Sequence, residues 1–342
     1  MRLHRSAVVL VLVISGCQGR GGSGSGITTD SGATSAPSVS TTVKRAPGKY
    51  RDRQPADVQA ALAHYDEQRA IDPCGLVDQN QLSGYGKLLY IGAGWNADTC
   101  YVKYDVPKGA NGIKEINIGR RSSDRRTHTG ERRDSFSCSY KVDNNFTYPD
   151  EMPDLIYTSV ALARTGDSNE VSALCPIAQD LGNQTVARAR PAPQRKDSRR
   201  VPVDNLAAMD PCGPIDALGD RPIEIGDWGM PFECSFQNPG NTELRGITAI
   251  RLEYTSIVQA PQPKLVKPGL IQLGGVQVKV REDEITCEYN AYVGDDQPGS
   301  GLDDTIPEQW VAVVSVDAPR VNGGCADTRA LTEKAITLYQ QR

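Results

Sequence analysis

The sequence has little of what most catalytic sites need. It contains three histidines, His4, His64 and His128, and only 6% of its 342 residues are aromatic. His64 falls in a polar helical stretch and His128 in a basic loop, so we expect both side chains to be solvent-exposed, and no Ser-His-Asp or Cys-His arrangement is indicated. A phosphate-binding Gly-Lys-Ser/Thr loop is missing as well. The sequence therefore predicts a protein without catalytic residues and without a cofactor.

Long apolar runs are also lacking. The apolar run at residues 6–16 is shorter than the roughly 20 residues that a transmembrane helix needs. It follows two arginines, which is typical of an export signal. Ser15 and Gly16 immediately precede Cys17, and this ending resembles the lipobox of bacterial lipoproteins. The resemblance implies removal of residues 1–16 and acylation of Cys17, with palmitate-like chains as the anchor; the alternative is a secretory signal followed by a chance cysteine.

Large apolar side chains are scarce after Cys17. Residues 19–43 contain six glycines, six serines and five threonines, so this stretch cannot bury enough surface to offset its chain entropy. Residues 17–50 are therefore predicted to be a lipidated, disordered tether that holds the folded part away from the membrane. The chain has a net charge of −4, which gives no reason to expect nucleic acid or an anionic membrane surface as a partner.

The eight remaining cysteines form two similar series of four. Each series opens with Asp-Pro-Cys-Gly, continues with two cysteine-led strand patterns and an apolar run, and closes with a cysteine-led helical pattern. Such a repeat predicts a tandem duplication of one module. The two domains are expected at residues 51–187 and 204–342, joined by a basic linker at residues 188–203. The two series are Cys74, Cys100, Cys138 and Cys175, then Cys212, Cys234, Cys287 and Cys325.

The linker carries six basic residues and three prolines. Because prolines prevent a helix and like charges repel, we expect it to be solvated. The alternative is a basic patch for an acidic partner, such as phospholipid head groups or an anionic wall polymer.

Each module is predicted to be α+β, an antiparallel sheet packed against helices. Val276, Val278 and Val280 alternate with polar residues, as in a sheet with one buried face. Asp-Pro-Cys indicates a turn into a short helix, with the aspartate as its cap. Residues 56–70 predict a further helix, packed on the first domain. Strands are expected at residues 88–91, 100–104, 113–118, 138–142, 155–162, 232–236, 247–254, 276–280, 285–289 and 310–316.

Even numbers of cysteines at repeated spacings in an exported chain predict disulfides. Structural zinc would require closely spaced cysteine pairs and histidines, so no metal site is predicted. Four cysteines allow three pairings per module. The repeated spacings favour local pairs that join a helix start to a strand. The predicted pairs are Cys74–Cys100, Cys138–Cys175, Cys212–Cys234 and Cys287–Cys325.

Acidic residues do not single out a site. Asp295, Asp296, Asp303 and Asp304 lie in a Gly/Pro-rich stretch and offer oxygen ligands for calcium, but their spacing does not match a twelve-residue calcium loop. We therefore expect a solvated loop. A glycosidase needs two carboxylates at a defined separation, and nothing selects such a pair among 42 acidic residues.

The lipobox, the tether, the Asp-Pro-Cys opening, the cysteine-led strands and the cysteine-led terminal helix together resemble a lipoprotein family common in mycobacteria and other actinobacteria, to which no activity is assigned. The layout is also similar to the extracellular sensor domains of certain mycobacterial receptor kinases. The resemblance covers residues 70–190 and 205–342. It implies a location at the outer face of the cell membrane and a binding role, and it brings no active-site residues.

These observations predict a membrane-anchored, extracytoplasmic, sensor-like module that binds an unidentified envelope ligand or protein and is not an enzyme. A groove between the two domains is the expected site. Trp228 and Trp310 are candidates for exposed aromatic side chains there, with positions in the core as the alternative. Two other hypotheses are an accessory or assembly protein of an envelope complex and a carboxylate-dependent cell-wall hydrolase.

Overall fold

The computed structural model describes residues 49–120, 129–201, 204–226, 228, 230–237, 239, 247–256, 269–294, 297–298, 309–320 and 324–342. Ala46–Arg342 form one compact unit that contains two antiparallel sheets and several helices. The predicted α+β class is confirmed. The division into two domains stays a prediction, since both sheets lie in this unit.

The first sheet has six strands in the order β1-β2-β3-β6-β5-β4. Alternate residues of the strand Thr99–Tyr104 are buried, as the apolar alternation of the sequence predicts, whereas nearly all residues of the strand Pro153–Leu162 are buried. These strands are β1 Leu88–Ala93, β2 Thr99–Tyr104, β3 Ile113–Arg120, β4 Gly130–Arg133, β5 Ser137–Thr147 and β6 Pro153–Leu162.

The second sheet repeats this order as β7-β8-β9-β14-β12-β11 and adds β10 beyond β11 and the short β13 beside β14. The register repeats as well, because Cys100 pairs with Ile118 and Cys234 with Ile250. This equivalence is what a tandem duplication predicts. The strands are β7 Glu224–Gly226, β8 Glu233–Gln237, β9 Thr248–Ser256, β10 Leu270–Leu273, β11 Val276–Glu282, β12 Thr286–Tyr292, β13 Gln297–Pro298 and β14 Gln309–Pro319.

Three of the described helices have 14 or 15 residues, and the other described helices are shorter. Among them are 3-10 turns at Pro73–Leu76, Arg195–Asp197 and Gly213–Leu218. The α-helices are α1 Lys49–Asp52, α2 Ala56–Arg69, α3 Gln79–Ser83, α4 Ser168–Ser172, α5 Cys175–Arg188, α6 Asn205–Ala208 and α7 Ala326–Gln340.

Both Asp-Pro-Cys motifs form the capped turn that their sequence predicts. The Asp72 carboxylate accepts a hydrogen bond from the backbone N–H of Cys74 at 2.8 Å, and Asp210 accepts one from the N–H of Cys212 at 3.0 Å. The aspartate thus satisfies a donor that the start of the turn leaves free. We call residues 72–74 the first motif and residues 210–212 the second motif.

The four predicted disulfides are all present. Each joins the start of a helical segment to the buried face of a strand, and the paired cysteines are 22 to 38 residues apart. They therefore attach the helical layer of each half to its own sheet. The bonds are Cys74–Cys100, Cys138–Cys175, Cys212–Cys234 and Cys287–Cys325.

One long helix covers the cysteine-bearing face of each sheet. Ala178 and Leu181 of α5 are fully buried, and the Thr158 hydroxyl of β6 donates to the backbone oxygen of Ala178 at 2.6 Å. In the second half, Leu331 and Ala335 of α7 are buried in the same manner. Apolar residues that recur every three or four positions give each helix one apolar face, which explains why both helices pack on their sheets.

Candidate functional site at the junction of the two sheets

The helix α2 was expected to pack on the first domain, and the structure confirms this only in part: His64 packs on Phe146 of the first half, whereas the apolar face of α2 packs mainly on the second half. Its apolar face, with Leu62 and Tyr65, lies in a core cluster formed mainly by residues of the second half, among them Met209 and Phe232. Sequence periodicity identifies a buried helical face but not the surface that covers it. The segment that precedes the first module therefore completes the core of the second.

The start of the described chain is clamped onto the second motif. The Tyr50 hydroxyl donates to the Asp210 carboxylate at 2.6 Å, while the Arg51 guanidinium donates to Asp210 at 2.9 Å and to Asp66 at 2.6 Å. Burial alone would raise the pKa of the Asp210 carboxyl, but the guanidiniums of Arg69 and Arg51 hold that pKa below its usual value. Asp210 therefore remains charged inside the protein.

The basic linker was expected to be solvated, and the structure contradicts this for its central part. Arg195 is only 4% exposed, although Gln194 and Lys196 on either side are exposed. The Arg195 guanidinium donates to the backbone oxygens of Arg69 and Ala97. Burial lowers the pKa of this guanidinium. The linker is thus fixed to the packed interior at Arg195, through backbone acceptors.

The linker also docks onto the first motif. The backbone N–H of Asp72 donates to the oxygen of Pro193 at 2.9 Å, and a Cβ atom on Gly75 would lie 2.7 Å from the Pro193 ring. Only glycine fits at this contact without displacing the linker. Each motif is therefore contacted by the segment that precedes the other half. Residues 49–69, which precede the first module, contact the second motif, and residues 193–195, which precede the second module, contact the first.

His64 was expected to be solvent-exposed, and this is also wrong. Its ring stacks on Phe146 with 3.7 Å between ring centroids, and its Nε2 lies 3.0 Å from the Asp154 carboxylate. Asp154 also accepts hydrogen bonds from the Asn144 amide at 2.7 Å and the Tyr148 hydroxyl at 3.3 Å. This cluster attaches α2 to the hairpin between β5 and β6.

The two candidate tryptophans are not exposed aromatics of a groove. Trp228 is 4% exposed and stacks on Tyr148 with 5.9 Å between ring centroids. Trp310 is partly buried against the same core cluster, and among the described residues its buried Nε1 has no hydrogen-bond partner. Trp228 thus connects the halves as a core residue. The described aromatic side chains with the largest exposure are instead Trp95 and Phe136.

A shallow cavity of about 260 Å³ lies at the same junction. Asp150, in the turn between β5 and β6, contributes from the first half. Short stretches of β7 and β8, and Ile247 immediately before β9, contribute from the second. Its walls combine two carboxylates with apolar and hydroxyl-bearing side chains. We call this the junction cavity, and its lining residues are Asp150, Glu224, Ile225, Gly226, Ser235, Phe236, Gln237 and Ile247.

The second sheet presents a cluster of carboxylates on the face opposite its cysteines. Arg251 pairs with Glu233 at 3.2 Å and with Asp317. Burial raises the pKa of the Glu253 carboxyl above its ordinary value; Arg251 opposes this shift, and the carboxylates of Glu233, Asp317 and Glu288 add to it. A raised carboxyl pKa is one property of general acids.

Several predicted features lie outside the described residues. These are the lipidation site Cys17 with its signal and tether, His128, and the acidic residues Asp295, Asp296, Asp303 and Asp304. In the part of the chain that the structure describes, one group with metal-ligand proximity combines Glu131 with Cys138 and Cys175, whose sulfurs are bonded to each other. None of the described helices combines the length and apolar character that a membrane crossing requires.

Comparison with known proteins gives no family. No protein-family model and no curated protein matches the chain. Among solved structures, the di-domain ARO/CYC protein StfQ from the steffimycin biosynthetic pathway aligns with 80% of this chain and 92% of its own, at 10% identity and a TM-score of 0.14. A similarity at that score carries no argument about fold or function.

Proposed function

We propose that the chain is an exported lipoprotein, anchored through Cys17 at the outer face of the cell membrane, whose folded part binds an envelope ligand or protein without catalysing a reaction. The observation that carries this proposal is the pairing of all eight cysteines beyond Cys17. Structural disulfides persist in oxidising compartments outside the cytoplasm. One cysteine is left over, and it stands at the end of the predicted export signal, where acylation would use it.

The modular build supports a binding role. Each sheet has its own buried cluster, and α2 joins the cluster of the second half. Residues from both halves line the junction cavity. Ligand sites commonly lie between such packed units. We retain the actinobacterial lipoproteins and receptor-kinase sensor domains as proposed relatives, and an accessory role in an envelope complex as an alternative to ligand binding.

Metabolic labelling with an alkyne fatty acid in an actinobacterial host tests the anchor. The complete chain should incorporate the label and fractionate with the membrane, whereas Cys17→Ala should lose both properties. Gln18→Ala is the matched control and should keep them. Label retained by Cys17→Ala, or protein in the cytoplasm, would exclude the lipoprotein assignment.

Mass spectrometry of the complete protein extracted from native membranes tests the binding role. Extracts should contain a lipid, glycan or protein that co-purifies stoichiometrically. The proposal loses its support if no such species accompanies the protein after mild extraction.

A second candidate, the carboxylate-dependent wall hydrolase, rests on the raised pKa of Glu253. It predicts release of soluble fragments from purified cell wall and loss of that release in Glu253→Gln. Arg251 pairs with two other carboxylates of the cluster, and Glu253 is not among the residues that line the junction cavity. The binding role is therefore the function that we favour.

A further inference from the structure

We propose that the junction cavity binds a primary ammonium group carried on a short aliphatic stem. This inference rests on the proposed binding function and names its ligand class. A free alkylamine and the lysine side chain of a peptide both carry that group, and the affinity for Nα-acetyl-lysine amide distinguishes them.

The charged side chains among the described lining residues of the cavity favour a cation. Asp150 and Glu224 line it from the two halves, and no basic side chain is among its described lining residues. Within the described residues neither carboxylate takes part in an ion pair. Asp150 accepts one hydrogen bond from the N–H of Met152 at 3.3 Å, and Glu224 accepts one from the Gln237 amide at 3.1 Å. Because a carboxylate can accept about four hydrogen bonds, both retain acceptor capacity that a three-donor ammonium group matches.

The apolar walls favour an aliphatic stem. Phe236 is 5% exposed and presents a lining surface, while Ile247, immediately before β9, is 46% exposed. An alkyl chain of a few carbons would cover Ile247, and the Phe236 ring can also attract the cation. The volume of about 260 Å³ is slightly below the range typical of drug-sized ligands, which begins near 300 Å³. The cavity therefore suits a single side chain or a small molecule.

The test is a titration of the complete chain in detergent micelles, with isoleucine methyl groups labelled for NMR. We expect n-butylamine to shift the Ile247 methyl signals in a saturable manner, and butyrate and n-butanol to leave them unchanged. Nα-acetyl-lysine amide separates the sources, because a site for peptide side chains binds it at least as tightly as butylamine, whereas a site for free amines binds it more weakly.

Two variants and one control complete the test. Glu224→Gln and Asp150→Asn should each weaken butylamine binding about tenfold, the typical effect of losing one charge-assisted hydrogen bond. Glu67→Gln removes an exposed carboxylate from α2 and should have no effect. Three results would overturn the inference: butanol that binds as tightly as butylamine, an affinity for butylamine that neither variant changes, or butylamine-induced changes only in NMR signals other than those of Ile247. If acylation and a co-purifying ligand are observed but butylamine does not bind, the amine inference alone fails and the proposed function stands.

Discussion

The hydroxyl of Tyr50 donates a hydrogen bond to the carboxylate of Asp210, 160 residues further along the chain. Asp210 belongs to the second Asp-Pro-Cys motif, whereas Tyr50 precedes the first. Arg51 adds a charged contact to the same carboxylate at 2.9 Å. The contact therefore joins the beginning of the described chain to the start of its second half. Local unfolding of either segment would expose the other to solvent.

Removing the Asp210 carboxylate should destabilise the protein strongly. Asp210→Ala leaves Asp66 as the remaining carboxylate beside the guanidiniums of Arg51 and Arg69, so we expect a cost of about 3 kcal/mol, the lower end for a broken buried ion pair. Tyr50→Phe removes only one hydrogen bond and should cost about 1 kcal/mol. The free energy of unfolding is measured in urea with the disulfides intact.

Asp105→Ala, which breaks the exposed Lys87–Asp105 pair, is the control, with an expected change below about 1 kcal/mol. Equal losses in Asp210→Ala and Asp105→Ala would contradict the buried network.

Acid should weaken the same network. Because the pKa of Asp210 is lower in the folded protein than in the unfolded chain, its stabilisation is complete above the unfolded value, about 4. It is lost as the pH falls through the lower folded value. We expect the free energy of unfolding to decrease between about pH 5 and pH 2. Asp210→Asn should show a shallower decrease over that interval in urea titrations at stepped pH. An identical slope in both proteins would show that Asp210 does not carry this dependence.

Most strands of the two sheets could be predicted from the sequence, and the strands that were missed have features in common. All ten predicted strands are present, because each has apolar residues at period two or a continuous apolar run. The strands that the sequence did not reveal are short, and most lie beside a longer neighbour that supplies their hydrogen bonds. In β4, for example, Gly130–Arg133 contains no apolar alternation. These missed strands are Gly130–Arg133, Glu224–Gly226, Leu270–Leu273 and Gln297–Pro298.

The junction could not be predicted in the same way. The apolar spacing of α2 indicates burial, but the partner surface comes from residues about 150 positions away, such as Met209. Arg195 looks like one more charge in a basic linker, and only the backbone oxygens of Arg69 and Ala97 explain its burial. Asp150 and Glu224 carry no motif. Their proximity depends on how the halves pack, which no local pattern records.

The contact between Gly75 and Pro193 gives a prediction about the linker. Gly75→Ala places a methyl group 2.7 Å from the proline ring, so the linker must move away from the first motif. We expect a loss of about 1–3 kcal/mol in the free energy of unfolding, together with faster amide exchange at Asp72, whose N–H donates to Pro193. Gly324→Ala is the control, because a Cβ atom there meets nothing within 4 Å. Protection at Asp72 that does not change would contradict the docked linker.

The paired cysteines predict a defined loss on removal of a bond. Cys138→Ser with Cys175→Ser opens a loop of 37 residues, for which chain entropy predicts a cost of about 3.8 kcal/mol, an upper value if the folded state carries strain. Unfolding in urea checks the loss, and peptide mapping without reduction should find the other three bonds unchanged. If the remaining cysteines pair differently in the double variant, the formation of each disulfide depends on the others and not only on its local structure.

A single residue beside the junction cavity should tolerate glycine better than glutamate. Glu151 has a φ of 63°, a left-handed conformation that costs a side chain of this type about 1–2 kcal/mol and costs glycine little. Glu151→Gly should therefore raise the free energy of unfolding by about 0.5–1 kcal/mol, after the greater entropy of glycine in the unfolded chain is subtracted. The same change at Glu67, in α2, should instead lower it by about 1 kcal/mol. Since Glu151 follows Asp150 in the turn without lining the cavity, the stabilised variant should keep its affinity for butylamine. A loss of stability in Glu151→Gly would show that the side chain makes contacts that outweigh its backbone strain.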